Sequence, residues 1–219
     1  MSNEQSTELP LWVQDREQVI ADGADVEWRS GRPDYSYTNQ FLEKERKHNH
    51  AEGSLNAIAH NLVKTFEMEA THKTNPKQWL SVVTEKFRMS TNGGTEYTAQ
   101  QIVDAGTYNL FLGETDHYSS SQETFDSSYT LFHTAFPEGF LWELIEVVSP
   151  PPNVVFKWRH WGQFKGNFKN FSSTGETIEI VGLSVARVNE ELKIEAVEHF
   201  FDNSAFLNKL TAGGCPFHT

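Results

Sequence analysis

Four polar side chains stand in runs that otherwise read as the inside of a protein: His160, Glu198, His133 and Tyr129. A carboxylate or imidazole among apolar neighbours is costly unless it is paired or used. The same setting raises a carboxylate's pKa, which suits it to take protons near neutral pH. Strand alternation over Val154–Phe164 puts Val154, Phe156, Trp158, His160, Gly162 and Phe164 on one face. Over Leu192–Asp202 the same count groups Leu192, Ile194, Ala196, Glu198, Phe200 and Asp202, opposite Lys193, Glu195, Val197, His199 and Phe201. Glu198 and His160 are therefore the expected bases for a proton beside a carbonyl. His133 and Tyr129 are expected to stabilise the enolate oxygen that results.

The last two belong to a helical stripe of Phe125, Tyr129, Phe132 and Phe136, in which Asp126, Tyr129 and His133 share a side at i, i+3 and i+7. The substrate is expected to meet Tyr129, Trp158, Phe156, Phe132 and Phe200, with Glu69 and His72 at the end of a long helix. Each residue also has a plainer role open to it. His160 can be a core histidine bonded to a neighbouring strand, Glu198 a carboxylate paired with a buried Arg or Tyr, and the aromatic stripe simple core.

Other chemistries find little support. The nine histidines lie on different elements without the compact spacing of a metal site, and Glu69-x-x-His72 is half of the paired motif used in helix bundles. Neither metal nor cofactor is expected. Asn92-Gly93-Gly94 reads as a turn rather than a phosphate loop, and there is no Gly-x-Ser-x-Gly elbow. Cys215, between Gly214 and Pro216, is expected in a flexible tail rather than as a nucleophile.

The elements that must position these residues are legible. Leu55, Ile58, Ala59, Leu62, Val63 and Phe66 recur at helical spacing behind a possible cap at Ser54. Lys86–Thr91 reads as a strand. Thr98-Ala99-Gln100-Gln101 has the form of a capping box and predicts a helix to about Leu112. A further helix is predicted over Gln122–Phe136, stopped by Pro137 and Gly139. Strands follow at Phe140–Ser149, Val154–Phe164, Thr177–Val188 and Leu192–Phe201, then a short helix at Ser204–Leu210. Helices followed by four strands in sequence predict an α+β fold, with a curved antiparallel sheet wrapped over helices to leave a cone-shaped pocket. Three regions are expected: an extension over residues 1–53 carrying aromatic anchors, a domain over 54–210, and a tail over 211–219. Within the extension, the first ten residues are expected to be disordered and Glu43–His48 to form a charged helix.

Composition narrows the partners. A formal charge of −12 disfavours nucleic acid, which needs a positive surface, and disfavours anionic membranes. No apolar run is long enough to span a bilayer, and Met1–Pro10 lacks the apolar core of a signal peptide. With one cysteine no intrachain disulfide is possible. A cytoplasmic protein is expected, acting on a small apolar metabolite. Lys157, Arg159, Trp161 and Gln163 would form a sheet face through which it makes a homodimer.

The order His160-x-Gly162-x-x-x-Gly166, then Thr174-Gly175-x-x-x-x-x-x-Gly182, then Lys193-Ile194 ending in Phe200-Phe201-Asp202 resembles the SnoaL-like group of the nuclear-transport-factor-like superfamily. Val26–Arg29, Glu52–Leu55, Glu67–Lys73, Thr134–Pro137, Lys157–Gly162 and Val197–Asp202 resemble the pathogen-related protein family of plants and fungi. The resemblance implies a curved-sheet pocket and a cofactor-independent cyclase, isomerase or dehydratase. Its alternative is a binding protein for a hydrophobic defence-related or secondary metabolite. SnoaL-type cyclases use an aspartate helped by a histidine. No aspartate here falls on the matching strands, and the position matching Glu198 often lines the pocket.

Overall fold

The computed structural model describes residues 9–214. Expectations for the N-terminal residues 1–8 and for the end of the tail, residues 215–219 with Cys215, lie outside the described residues. Among the described residues seven α-helices and five strands follow one another as α1 (Arg16–Asp22), α2 (Ser36–Glu45), α3 (Leu55–His72), β1 (Arg88–Thr91), α4 (Ala99–Ala105), α5 (Thr107–Leu112), α6 (Phe125–Ala135), β2 (Leu141–Ser149), β3 (Asn153–Gln163), β4 (Thr177–Val188), β5 (Ile194–Phe200) and α7 (Asn203–Thr211). No helix among the described residues is long and apolar enough to cross a membrane.

Local chemistry explains most of the element ends. Ser54 accepts from the Ala57 N–H and starts α3. Thr98 and Gln101 make the expected reciprocal capping box at α4, and Thr124 with Ser127 makes another at α6. The helix predicted from Thr98 to Leu112 is instead two helices. Gly106, at φ +84°, breaks it, and its backbone passes so close to Phe125 that a Cβ would sit 3.0 Å from that ring. The charged helix expected at Glu43–His48 forms only in its first half, as the end of α2. α2 stops at Glu45, and the chain runs on extended because its N–H groups bond to another element, as described below.

The sheet order is β1-β5-β4-β3-β2. β2, β3, β4 and β5 form the expected antiparallel meander. β1 departs from the all-antiparallel expectation by pairing parallel to β5, Arg88 with Ala196 through Thr91 with His199. A parallel pair needs a long crossover, and here the rest of the fold supplies it, so no local signal marks the pairing. β5 departs in a second way. Val188 pairs with Ile194 while the preceding Arg187 pairs with Ala196, so Glu195 is an extra residue in a β-bulge. One extra residue exchanges the two faces of everything beyond it. Ile194 is buried, but so is Val197, and the inward set continues through His199 and Phe201.

α3 lies in the concave side of the sheet, where Leu62 and Phe66 join Leu144, Phe156, Trp158, Val188 and Val197 in one core cluster. A second cluster gathers Phe132, Phe136, Phe164, Phe168, Phe206 and Leu210 from α6, α7 and the chain after β3. Between these clusters the cone stays open.

The outer face of β2 and β3 is covered in part, while Lys157, also expected at a dimer face, stays exposed. Arg159 and Trp161, expected at a dimer face, are 4% and 2% exposed because the end of α2 covers them. The Trp161 indole donates to Glu45 Oε2 (2.8 Å), and Arg159 donates to the Glu45 carbonyl (3.1 Å). Glu143 accepts from the backbone N–H groups of Lys47 (2.9 Å) and His48 (3.2 Å), with the His48 ring at 3.0 Å and Arg159 Nε at 2.8 Å. Burial by itself would raise the Glu143 pKa, but these bonds and the Arg159 charge outweigh it and hold the value below its ordinary 4.5. A depressed carboxylate contributes stability that is complete above its unfolded-state value and is lost as pH falls through the folded one. Acid unfolding followed by fluorescence should therefore be shallower for Glu143→Gln than for wild type below about pH 4.5.

Candidate functional site

Between the two clusters lies a cavity of about 490 Å³, within the size range that encloses small organic ligands. Its walls come from nearly every layer. Tyr35 and Tyr37 flank the N-terminal turn of α2. Val63, Glu67 and Thr71 come from α3, Tyr108 and Phe111 from α5, Tyr129 and His133 from α6, and Trp142, Trp158, His160, Ile180 and His199 from the sheet. Asp34, Tyr37, His133 and Pro137 are exposed and mark the mouth.

Of the residues expected at the site, His160, His133, Tyr129, Trp158, Phe156 and His72 do line the cavity. β3 has no bulge in its pairing with β4, so its alternation holds from Phe156 to His160. Four expected residues are elsewhere. Glu198 and Phe200 lie beyond the β5 bulge and point out of the cone. Glu198 accepts from the Gly93 N–H (2.8 Å), and Phe200 is exposed beside Leu183. Phe132 is buried in the second cluster, where its ring stacks on Tyr108 at 4.1 Å and backs the cavity wall without reaching it. Glu69 is sealed inside the protein, salt-bridged to Lys73 (2.8 Å) and bonded by the N–H groups of Leu80 and Ser81 and the Ser81 hydroxyl.

Glu67 is the residue the sequence reading missed. Its Oε1 lies 3.6 Å from His160 Nε2 across the cavity. The signal was present: Glu67 follows Val63 by one helical repeat and precedes Thr71 by another, so a carboxylate sits on the inward stripe of α3. His160 is stacked on Phe140 (5.0 Å), and its Nδ1 is buried with no hydrogen-bond partner among the described residues.

His199 is the second addition, brought inward by the bulge. Its Nδ1 is 2.8 Å from Ser184 Oγ, which itself accepts from the Trp158 indole N–H (2.7 Å). Trp158 can lie flat across β4 because its partner there is Gly182, where any Cβ would collide with the indole. The His199 Nε2 is buried and has no partner among the described residues. Desolvation, followed by the nearby His160, pushes the His199 pKa down to about 3, which leaves the ring neutral.

The pKa values of the histidines nearer the mouth are lowered as well. Burial lowers the His72 pKa to about 4, helped by the charges of His133, Arg16 and Arg29. Burial lowers that of His133 too, against the opposing bond in which its Nδ1–H donates to the Tyr129 carbonyl (2.8 Å). Tyr108 is raised by burial and stays a phenol. Among the described residues no three His, Cys, Asp or Glu side chains come together as a metal-binding set.

No family model matches the chain. Over 205 residues it is 37% identical to a pathogen-related protein from Hordeum vulgare, spanning 86% of this chain and 87% of that one. Among solved structures it is similar to a protein described as a SnoaL-like polyketide cyclase from Jannaschia sp. CCS1. That match has 12% identity and a TM-score of 0.41, covering 76% of this chain and 99% of the other. An NTF2-like protein from Burkholderia thailandensis E264 has 14% identity and a TM-score of 0.37, covering 68% and 93%. Likenesses this distant carry no reaction with them.

Proposed function

Since the chain belongs to the pathogen-related protein family, whose name states no reaction, we propose from its cavity that it is a cofactor-independent enzyme on a small carbonyl compound. The observation that carries this is the Glu67–His160 pair, 3.6 Å apart in an otherwise aromatic cavity. The reaction is proton removal beside a carbonyl, followed by isomerisation, ring closure or loss of water.

A tautomer follows from the geometry. Glu67 faces His160 Nε2 and favours the proton there, so Nδ1 is left bare and able to accept. When Nδ1 takes the substrate proton, the imidazolium formed lies against the Glu67 carboxylate, which stabilises it. The electron pair of the broken C–H bond moves onto the carbonyl oxygen. A gap of 3.6 Å is wider than a hydrogen bond, and contacts of this kind commonly tighten when a ligand arrives.

The test is untargeted mass spectrometry on a small-molecule extract of the source organism. Wild type would be compared with the Glu67→Gln/His160→Ala double variant. A metabolite consumed only by wild type, and replaced by an isomer or a dehydrated product, is the expected result. A metabolite retained but never changed would overturn the enzyme in favour of a carrier using the same cavity.

A further inference from the structure

We propose that His199 is the residue that recognises the carbonyl oxygen of the ligand, through a hydrogen bond donated by its Nε2–H, and that Ser184 and Trp158 hold it in that tautomer. The proposal deepens the proposed function and rests on it for the reaction, though not for the binding.

The tautomer follows from counting protons. The Trp158 indole nitrogen can only donate, so the Ser184 oxygen accepts from it at 2.7 Å. Ser184 is fully buried, and among the described residues its hydroxyl has one other partner, His199 Nδ1 at 2.8 Å. Its single proton must go there, because a buried hydroxyl left without an acceptor is costly. His199 Nδ1 is therefore the acceptor, and the ring's one proton sits on Nε2. The lowered pKa agrees, since a neutral ring has only one proton to place.

That Nε2–H has no partner among the described residues. Phe111 stands perpendicular to the ring at 5.0 Å and packs in turn edge-on to Phe201 at 6.4 Å. An orphaned donor in aromatic surroundings is costly until a ligand supplies an acceptor. The ligand must bring one while remaining apolar elsewhere. A carboxylate is a poor candidate, because it would meet Glu67 in the cavity, while Arg16, the arginine on the lining, is already stacked on Tyr35 and 3.7 Å from Glu17. A neutral ketone or aldehyde fits. A neutral imidazole donor also suits the chemistry: it bonds more strongly to the oxygen as enolate charge grows, without giving up its proton.

Two measurements test this. In ¹⁵N-labelled wild type at pH 7, long-range ring correlations of His199 should show a bare Nδ1 and a protonated Nε2. Ser184→Ala should shift that balance toward a mixture. A wild-type ring protonated on Nδ1, or on both nitrogens, would overturn the proposal without requiring any variant to fold.

The second measurement uses 1-indanone as probe beside indane, which has the same shape without the oxygen. Wild type should bind the ketone about threefold to tenfold more tightly, the range of one net hydrogen bond, and lower its carbonyl stretching frequency. His199→Phe should remove both effects, and Glu198→Gln, outside the cavity, should keep them. A preference that survives His199→Phe in a folded variant would overturn the proposal. If the carbonyl is polarised through His199 but no α-proton exchanges with deuterated solvent, the base assigned above falls and the donor stands. If exchange proceeds with no dependence on His199, the donor falls and the base stands.

Discussion

Glu67→Gln and His160→Ala are each expected to lower turnover by about 10²- to 10⁴-fold, the usual loss when a positioned general acid or base is removed. The fall should appear in kcat more than in KM. The proton is in transit only in the transition state, so the pair stabilises that state more than the bound substrate. Because Glu67 and His160 act as a unit, the double variant should lose little more than the worse single one. Steady-state kinetics on the metabolite found by mass spectrometry make the measurement. Until it is known, solvent deuterium exchange into 1-indanone followed by NMR can replace it. Additive losses, or single variants with unchanged kcat, would refute the paired base. Glu198→Gln is expected to change neither rate nor affinity, since its carboxylate accepts from Gly93 on the other side of the sheet.

The largest effect on stability is expected at Glu69 and Lys73, whose side chains are 0% and 2% exposed. The pair ties α3 to the loop that leads toward β1. Lys73 also donates to the Gln78 carbonyl (2.8 Å), and Glu69 binds the Leu80 and Ser81 N–H groups. Lys73→Met leaves a carboxylate buried without its cation, which costs about 3–5 kcal/mol. At about 2–4 °C per kcal/mol for a domain of this size, melting should fall on the order of ten degrees. Adding Glu69→Gln to Lys73→Met should recover part of that loss, because the stranded charge is then gone. Calorimetry of the three variants decides it. A loss below about 1 kcal/mol for Lys73→Met, the usual value of an exposed pair, would refute the buried-pair reading. Ligand binding measured well below the melting temperature should not change, which separates Glu69 from the cavity.

How much of this was legible in the chain differs element by element. β3 was read correctly because its pairing with β4 runs without a bulge, so alternation places Phe156, Trp158 and His160 on one face. The capping boxes at Thr98 and Thr124 are contacts within one turn, and the first of them stands in the sequence as a pattern. His72, Tyr129 and His133 reach the cavity as expected, whereas Phe132, one residue before His133, turns into the core.

The sequence by itself determined what depends on near neighbours: which segments become helices or strands, where they are capped, and which α+β family of folds can bury them. Only the tertiary structure decided the site. The β5 pairing with β4 carries a bulge at Glu195, and that one added residue turns His199 inward and Glu198 outward. Glu67 faces His160 because α3 is packed into the concave side of the sheet. Residues 45–48 are held over Arg159 by the N–H groups of Lys47 and His48, which donate to the buried Glu143. Periodicity records only the local repeat of the backbone, whereas a bulge or a contact between distant segments is set by the free energy of closing the whole core.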